Sequence, residues 1–425
     1  MKKFLFGTAG LLLIAASCSK NEVVEVNRDG DEISFNVVAG NATKAADIYC
    51  NNNKPSGFTV YAESDGKTYI NGDRIVSTDG GNTWVNESGT RFWPNESKVD
   101  FYAVENGTIT WNPDAAEGTA PASIANFEVS TAVASQKDLL YSVKMDQTKG
   151  ETAETTSPVT LNFRHALSQI VFNAKNTNAN LYVEISGVSV VNVGNKNTFA
   201  FPTDDTDNNM VDADHDGSFN YTIDYTDGSW GKWNALTSGS TVYPVDFETV
   251  KVEGTNTVVD LTANVTGDNT VKNEFNKNAL LLLPQTTTAW DPETVPYPGT
   301  VGKAENGSYF LVNCAIWNVA GDSINKDTDV LLWGGENGAP KQAAIPAAFT
   351  WEQGKKYIYT FIFGEGGGYD PDPEDPDPDP EDPDPVLIPI TFEVTVDDFV
   401  EVKPSIDVPM EVEVTESTED AGQGE

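Results

Sequence analysis

The sequence has few basic residues and almost no histidine. Its 425 residues include 26 Lys and Arg against 65 Asp and Glu, a formal net charge of −39 at pH 7, and its two histidines are His165 and His215. Phosphate binding needs a basic surface, so this balance excludes nucleic acid as a partner. Because the sequence also lacks a glycine-rich phosphate loop and a metal-spaced Cys/His cluster, it predicts no enzyme activity. His165 is expected to pack at a strand end.

Cysteines and long apolar runs are also scarce. The three cysteines are Cys18, Cys50 and Cys314. An oxidising compartment would permit a disulfide between Cys50 and Cys314, but the sequence cannot assign that pairing, and two separate buried thiols are equally compatible. After the first 18 residues, no apolar stretch is long enough to span a bilayer.

The N-terminus predicts export. "MKKFLFGTAGLLLIAASC" has two lysines, an apolar stretch and small residues before Cys18, the pattern of a secretory signal. Its ending resembles a bacterial lipobox, in which Cys18 would be diacylated (palmitate being a typical acyl chain) and would anchor the precursor to the outer membrane. The alternative is an ordinary signal peptidase site with an incidental cysteine. The following "SKNEVVEV" is similar to the charged stretch of surface-exported lipoproteins of the Bacteroidetes.

Helical patterning is scarce, whereas short apolar-polar alternations recur between turn residues. Runs such as "GFTVYAES" and "KKYIYTFIF" are bounded by Asn, Asp, Gly and Pro clusters, which predicts an all-β protein built from β-sandwiches. The predicted organisation comprises a signal peptide (1–18), an N-terminal sandwich (19–157), a C-terminal sandwich (158–365), a Gly/Asp-Pro linker (366–385) and a tail (386–425).

The linker is dominated by proline and acid. In residues 370–385, the Asp-Pro segment, prolines alternate with Asp and Glu after the hinge "EGGGY". Proline disfavours helix in the residue before it, and like charges extend the chain. We expect a semi-rigid rod at ~3.1 Å per residue, on the order of 50 Å in length, that holds the tail away from its own subunit.

The tail alternates strongly between apolar and polar residues. It predicts two strands with a break near Pro404, and the second runs from Ile406 to Val414. An apolar strand face needs a partner, and an isolated hairpin is marginal in water. We expect the tail to complete a sheet in another molecule by strand addition; the alternative is that the hinge folds it back onto its own second domain. The expected donor-strand residues are Ile388, Ile390, Phe392, Val394 and Val396.

Two weaker patterns concern ligands. Asp212, Asp214 and Asp216 copy the first half of a calcium loop, but the twelfth position is Ile223 rather than Glu, which excludes an EF-hand. A Ca²⁺ loop of another geometry and a solvated acidic turn both remain open, and no other cofactor is expected. Three tryptophans predicted to lie in loops could stack on sugars or cap a sandwich edge: Trp84, Trp230 and Trp233.

Several motifs occur in an order that resembles the fimbrillins of Bacteroidetes, the subunits of type V pili. They are "EISFNVVAGNATKAAD", "RFWPNESKVDFYAV", "VTLNFRHALSQIVFNAK", "LLLPQ", "FTWEQGKKYIYTFIF" and "ITFEVTVDDF". The resemblance implies two transthyretin-like β-sandwiches, which here would be followed by an Asp-Pro spacer and a C-terminal strand pair. It also implies a fimbrial subunit that supports adhesion to an unidentified host or bacterial surface ligand.

The resemblance further implies maturation by a trypsin-like cut and assembly with other fimbrial subunits by donor-strand exchange. Lys44 in "NATKAAD" matches the cleavage position, and Arg28 in "VNRDGDE" is the second candidate. Independently of the family, Ile33, Phe35 and Val37 share one face of the first predicted strand. The tail could therefore occupy the same half-buried slot. The alternative is a monomeric surface lipoprotein that binds glycans.

Overall fold

A computed structural model describes residues 32–39, 54–116, 118–150, 158–206, 228–262, 279–295, 306–321, 323–371 and 387–398. These residues form strands joined by turns, with two short 3-10 helices at Val133–Ser135 and Glu336–Gly338. The all-β prediction is confirmed. No helix in these ranges is long and apolar enough to cross a membrane.

The first part of the chain contributes nine described strands. They are β1 (Phe35–Ala39), β2 (Gly57–Ser64), β3 (Lys67–Val76), β4 (Val85–Asn86), β5 (Val99–Glu105), β6 (Thr110–Trp111), β7 (Ala122–Glu128), β8 (Leu140–Gln147) and β9 (Val159–His165). The turn between β2 and β3 shows why these runs pair. Asp65 and Gly66 both have positive φ, 53° and 70°, which matches the twist of a two-residue hairpin.

The rest of the chain contributes fourteen described strands. They are β10 (Ser168–Asn176), β11 (Leu181–Val193), β12 (Lys196–Ala200), β13 (Lys232–Trp233), β14 (Thr241–Val252), β15 (Val259–Asp260), β16 (Leu280–Leu282), β17 (Gln285–Thr286), β18 (Tyr309–Asn318), β19 (Val330–Trp333), β20 (Lys341–Pro346), β21 (Thr350–Trp351), β22 (Lys355–Tyr369) and β23 (Leu387–Asp398).

A seven-stranded sheet carries the first apolar core. Its order is β1-β9-β8-β5-β2-β3-β4, so β1 and β4 are its edges. Aromatic side chains from neighbouring strands, Phe58, Phe101 and Phe163, meet Trp93 in the core of this sheet. β1 therefore packs against buried aromatic side chains that other parts of this sheet contribute.

A ten-stranded sheet carries the larger core. The order along its main path is β14-β11-β18-β20-β22-β10-β15, with β16, β19 and β23 paired beside that path. A four-stranded sheet, β13-β12-β7-β6, packs with this core, and β17 pairs with β21. Because β6 and β7 precede β9 while β12 and β13 follow β10, the four-stranded sheet joins both parts of the chain.

The segment predicted to open the second domain is divided between two sheets. β9 pairs with β8 in the seven-stranded sheet, whereas β10 pairs with β22 in the ten-stranded sheet. The buried residues Ala166 and Leu167 make the connection. The predicted boundary between residues 157 and 158 thus falls inside the seven-stranded sheet, and the sheets change at residues 166–167.

Candidate strand-exchange edges

The first candidate site is the edge formed by β1. β1 runs parallel to β9, with Phe35 opposite Val159 and Ala39 opposite Phe163. Ile33, Phe35 and Val37 are 9%, 8% and 1% exposed. The polar side chains between them face solvent, so the strand has the amphipathic alternation that the sequence predicts.

Aromatic packing fixes the inner face of β1. The Phe35 ring contacts the Phe58 ring edge-on at a centroid distance of 6.0 Å and the Phe101 ring at 5.6 Å. Both partner rings are fully buried. Without β1, this apolar surface would face water, because no other described strand lies outside β9 on that edge.

An ion pair between a partly exposed Arg91 and a buried Asp73 positions the segment that meets the start of β1. The backbone N–H of Ile33 donates to the carbonyl of Arg91 at 2.8 Å. The Arg91 guanidinium in turn donates to both carboxylate oxygens of Asp73, at 2.7 and 3.0 Å. Tyr69 also donates through its hydroxyl to the Phe92 carbonyl. These contacts fix the position of residues 91–92 beside the start of β1.

The electrostatics of this ion pair favour the ionised carboxylate. Burial by itself raises the pKa of Asp73, but hydrogen bonds from Arg91 and Asn86 together outweigh burial and lower that pKa below its usual value. Asp73 and Arg91 were not predicted from the sequence. The available signal was an acidic residue between Ile70 and Ile75 in a strand with a buried face.

The second candidate site is the edge formed by β23. β23 runs antiparallel to β22 in its own chain, from Lys355 opposite Asp398 to Tyr369 opposite Leu387. The register covers eleven residue pairs and shifts once, between Phe363 and Gly368. The described part of the tail, Leu387–Asp398, therefore takes the alternative arrangement and folds back onto its own sheet.

The pairing of β23 also corrects the prediction for the Asp-Pro segment. A rod on the order of 50 Å would separate the tail from its own subunit. Tyr369 and Leu387, which flank this part of the chain, instead lie opposite each other. The expectation that the tail is held away from its own subunit is therefore wrong for β23. Residues 372–386 lie outside the described residues, so the rod itself stays a prediction.

Burial of the β23 side chains decreases along the strand. Ile388 and Ile390 are 2% and 0% exposed. The half-buried Phe392 contacts the Phe310 ring at 5.3 Å and the Tyr359 ring at 5.8 Å, whereas Val394 on the same face is 48% exposed. Val396 lies opposite Tyr357 in the register. Among the predicted donor-strand residues, Ile388 and Ile390 thus belong to the core, Phe392 packs against two aromatic rings, and Val394 is about half exposed.

The outer face of β23 makes one ion pair with its own sheet. The Lys175 ammonium lies 2.7 Å from the Glu393 carboxylate, whose side chain is 53% exposed. An exposed pair of this kind contributes ~0–1 kcal/mol. The apolar inner face therefore dominates the attachment of β23.

Several predicted site residues lie outside the described ranges. These are Cys18, Arg28, Lys44, Asp212, Asp214 and Asp216, together with Cys50. Their roles in lipidation, cleavage and Ca²⁺ binding stay predictions. Within the described ranges, no group of three or more His, Cys, Asp or Glu side chains could hold a metal ion.

Other polar and aromatic candidates are structural. His165 ends β9, and its Nδ1 lies 2.8 Å from the Asp138 carboxylate, with both side chains buried. Cys314 is a fully buried free thiol, and burial raises its pKa. Neither residue has the exposure that a nucleophile or general base needs.

The three tryptophans considered for sugar contact pack against the protein. Trp84 lies 5.1 Å from the Phe58 ring, and the Arg164 guanidinium lies 3.9 Å over Trp230. The Trp233 Nε1 donates to the Ala166 carbonyl at 2.7 Å. All three side chains are half-buried and contact the protein's own residues, as expected for a role in capping sheet edges, and sugar stacking stays a prediction.

Together these features define an all-β protein with an amphipathic strand at an edge of each of its two large sheets. The model of the fimbrillin-like family matches residues 40–374, most of the chain, and the protein belongs to that family. This is a family of structural and adhesion proteins of the cell surface and not of enzymes, and membership implies assembly with other fimbrial subunits. The matched residues begin directly after β1 and end before β23.

Two of the solved structures to which the chain is similar are proteins from Bacteroides and Porphyromonas. A fimbrial protein from Bacteroides vulgatus is 16% identical, with a TM-score of 0.47 over 87% of this chain and 99% of that chain. A fimbrilin from Porphyromonas gingivalis is 13% identical, with a TM-score of 0.37 over 89% of this chain and 99% of that chain. No curated protein matches the sequence. The family assignment therefore rests on the match to the family model.

Proposed function

We propose that the protein is a structural subunit of a cell-surface fimbria, a type V pilus, that polymerises by donor-strand exchange and supports adhesion. The observation that carries the proposal is β1. It is an edge strand whose three apolar side chains fill an aromatic core, and residues 40–53 connect it to the rest of the fold. A single cut in that connection would make β1 exchangeable.

The position of the cut separates the two cleavage candidates. Lys44 lies five residues after the end of β1, so cleavage there would sever β1 from the rest of the chain. Arg28 lies before β1, so cleavage there would leave β1 covalently attached. We therefore assign the maturing cut to Lys44.

The energetics favour exchange once the link is cut. Losing β1 would return Ile33, Phe35 and Val37 to water, at about 1.5–3 kcal/mol for each fully buried large side chain. An incoming strand with the same alternation would restore that burial and the backbone pairing with β9. A longer incoming strand would add pairs beyond the five that β1 makes.

In this proposal the donor belongs to the tail, residues 386–425. One candidate is β23 itself, which would have to leave β22 and uncover Tyr359 and Phe361, both buried in this structure. The other candidate is the second predicted tail strand, Ile406–Val414, which could be donated while β23 stays in place. Both carry the alternation that the β1 slot needs, and a truncation distinguishes them.

Lipidation provides the route to the surface in this proposal. Acylated Cys18 would hold the precursor at the outer membrane through residues 19–34, which link the lipid to β1. A cut after Lys44 would then release the subunit from its anchor and vacate the slot in one step. The acyl chains supply the membrane affinity, at roughly 0.8 kcal/mol per buried methylene.

Trypsin treatment of the full chain tests the proposal. We expect the wild-type protein to give ladders on an unboiled gel after trypsin treatment, K44Q to stay monomeric, and the matched variant R28Q to behave like the wild type. Wild-type protein that stays monomeric after loss of residues 19–44, verified by mass spectrometry, would contradict polymerisation by exchange. In cells, Cys18→Ala should abolish labelling by a fatty-acid probe.

A truncation identifies the donor. If Ile406–Val414 is the donor, deleting residues 399–425 should abolish the ladders while leaving β23 protected from hydrogen exchange. If β23 is the donor, the same deletion should leave the ladders intact. Ladders that persist after deletion of residues 387–425, with the monomer still folded, would place the donor outside the tail.

A further inference from the structure

The strand that pairs with β1 has only a short ladder with its other neighbour. β9 pairs with β8 at two positions, Leu140 opposite His165 and Tyr141 opposite Arg164. The five residues of β9 that pair with β1, residues 159–163, lie outside those two positions. The described ladder with β8 therefore does not extend to the part of β9 that holds β1.

A single buried threonine connects β8 and β9 where their ladder has ended. Thr206 is 1% exposed, and its hydroxyl donates to the Asn162 carbonyl of β9 at 2.8 Å. The Asn162 side-chain amide donates to the Thr206 carbonyl at 3.3 Å. Towards β8, the Thr206 N–H donates to the Val143 carbonyl at 3.1 Å, and the hydroxyl oxygen accepts from the Val143 N–H at 3.2 Å. Thr206 thus continues the hydrogen bonding of the sheet from β8 to β9.

The carboxylate next to Thr206 fixes this connection to β8. Asp205 accepts a hydrogen bond from the Met145 N–H through one oxygen, and the Lys144 ammonium lies 2.8 Å from the other. The Lys144 and Asp205 side chains are only 20% and 15% exposed, so salt screens this ion pair less than it would screen a pair at the surface. Asp205 therefore holds Thr206 in position from the β8 side.

The connecting residues are also attached to a part of the fold that does not include β1. Residues 203–206, the bridging segment, follow β12, a strand of the four-stranded sheet. The N–H groups of Thr203 and Asp204 both donate to the Gly228 carbonyl, at 2.9 and 3.1 Å, and Phe201 is buried in the larger core. Because none of these contacts involves β1, the bridging segment stays beside β9 when β1 leaves.

We propose that Thr206 is a positioning residue of the strand-exchange edge and keeps β9 in place as the acceptor strand while β1 is absent. This role rests on the proposed donor-strand exchange at β1. Without Thr206, residues 159–163 would be bonded to no described strand on either side once β1 had left. Ordering them again would cost conformational entropy before a donor could pair, whereas an acceptor that is already extended avoids that cost.

Thr206→Val tests the role in the full chain, because it removes the hydroxyl and keeps the shape of the side chain. After trypsin treatment we expect ladders to form at least ~fivefold more slowly than in the wild type, with the cut after Lys44 no slower. Thr206→Ser, which keeps the hydroxyl, should restore the wild-type rate to within about twofold. The matched control Thr203→Val makes the same change at an exposed position of the bridging segment and should also match the wild type.

The directions of the two rates separate positioning from a general loss of stability. Phe35→Ala loosens only the leaving strand, so it should speed the cut and should not slow ladder formation. Thr206→Val should slow ladder formation although the cut is no slower. Ladders that form in Thr206→Val at the wild-type rate, or equally slowly in Thr206→Ser, would overturn the proposal.

A second measurement does not depend on polymerisation. In the uncut protein, Thr206→Val should speed hydrogen exchange at residues 159–163 at least tenfold, while exchange in β23 stays unchanged. If the wild-type protein gives no ladders, donor-strand exchange fails, and the β9 amides alone then decide whether Thr206 positions this strand; unchanged exchange there would overturn that role. If Thr206→Val does not fold, Asp205→Asn replaces it, because it removes the charge that pairs with Lys144 and should shift both measurements in the same directions.

Discussion

The two edge strands β1 and β23 have the same alternation but different attachments. β1 makes five residue pairs with one parallel neighbour and is joined to the fold only through the residues that precede β2. β23 makes eleven pairs with one antiparallel neighbour, and two of its side chains are essentially inaccessible to solvent. An apolar face is thus common to both strands, whereas the extent of pairing sets how readily each could leave its sheet.

Of the two edge strands, β1 is the one that is more easily detached from its sheet, because it makes fewer residue pairs. Proteolysis near Lys44 would remove the only covalent link of β1, and the strand would then be held by three buried side chains. A cut in residues 370–386 would sever β23 in the same way, but these residues contain no Lys or Arg for a trypsin-like protease, and eleven residue pairs would still hold β23 to β22. The described structure is therefore best understood as a closed subunit whose N-terminal edge can be opened.

Ile390→Asp should have the largest effect on this comparison. The side chain is completely buried, and a carboxylate at this position loses the apolar contacts and gains an unpaired buried charge, which together cost about 5 kcal/mol. We expect β23 to separate from β22, with loss of hydrogen-exchange protection from residue 387 onward. β1 should keep its protection.

The matched control for this substitution lies on the same strand face. Val394 is 48% exposed, so Val394→Asp places the charge in water and should change the free energy of unfolding by less than ~0.5 kcal/mol. If both substitutions release β23 equally, burial does not attach this strand and the comparison with β1 fails.

Phe35→Ala should have the next largest effect, confined to the other edge. The ring packs edge-on against two buried phenylalanines, and truncating a buried Phe costs about 3 kcal/mol or more. We expect β1 to open locally, so that trypsin cleaves after Lys44 several-fold faster than in the wild type, as measured by mass spectrometry.

The control for Phe35→Ala is its neighbour. Ser34 is exposed and contributes its backbone carbonyl to β9, so Ser34→Ala should leave the cleavage rate unchanged. Faster cleavage in Ser34→Ala, or an unchanged rate in Phe35→Ala, would show that the Phe35 ring does not hold β1 in place.

Local sequence patterns predicted much of the fold. The alternation in "ISFNVVAG" identifies the three residues that β1 buries, and the alternation after Pro385 identifies Ile388 and Ile390 as inward-facing. The turn residues between runs predicted the all-β class. These features depend on neighbours within a few residues, so periodicity alone reveals them.

Long-range pairing was not predictable in the same way. Proline and like charge predict an extended Asp-Pro segment, but they do not predict that Tyr369 and Leu387, on either side of it, lie opposite each other. The run from Val159 to Asn176 begins the predicted C-terminal sandwich, yet its halves join different sheets. Periodicity shows that a face is buried, and it does not identify the strand that covers it.

The smallest predicted effect concerns the ion pair between Asp73 and Arg91, which lies beside the start of β1. The pKa of Asp73 is lowered in the folded protein, so this carboxylate stabilises the fold above its unfolded pKa of ~3.9 and loses that contribution as pH falls through its folded pKa. Asp73→Asn should therefore cost about 2 kcal/mol at pH 7, measured by urea unfolding. The cost should shrink as the wild-type carboxylate becomes protonated.

The same substitution separates a role at β1 from a general effect on the sheet. Arg91 freed from Asp73 no longer holds its carbonyl for the Ile33 N–H, so hydrogen exchange at Ile33 should quicken at pH 7 in Asp73→Asn while β23 is unaffected. Asp100 is the control, because its pKa is shifted in the opposite direction to that of Asp73. Because burial raises the pKa of Asp100, Asp100→Asn should relieve a cost at neutral pH. If Asp73→Asn instead shows the wild-type dependence on pH with an unchanged Ile33 amide, the Arg91 ion pair does not support the β1 edge.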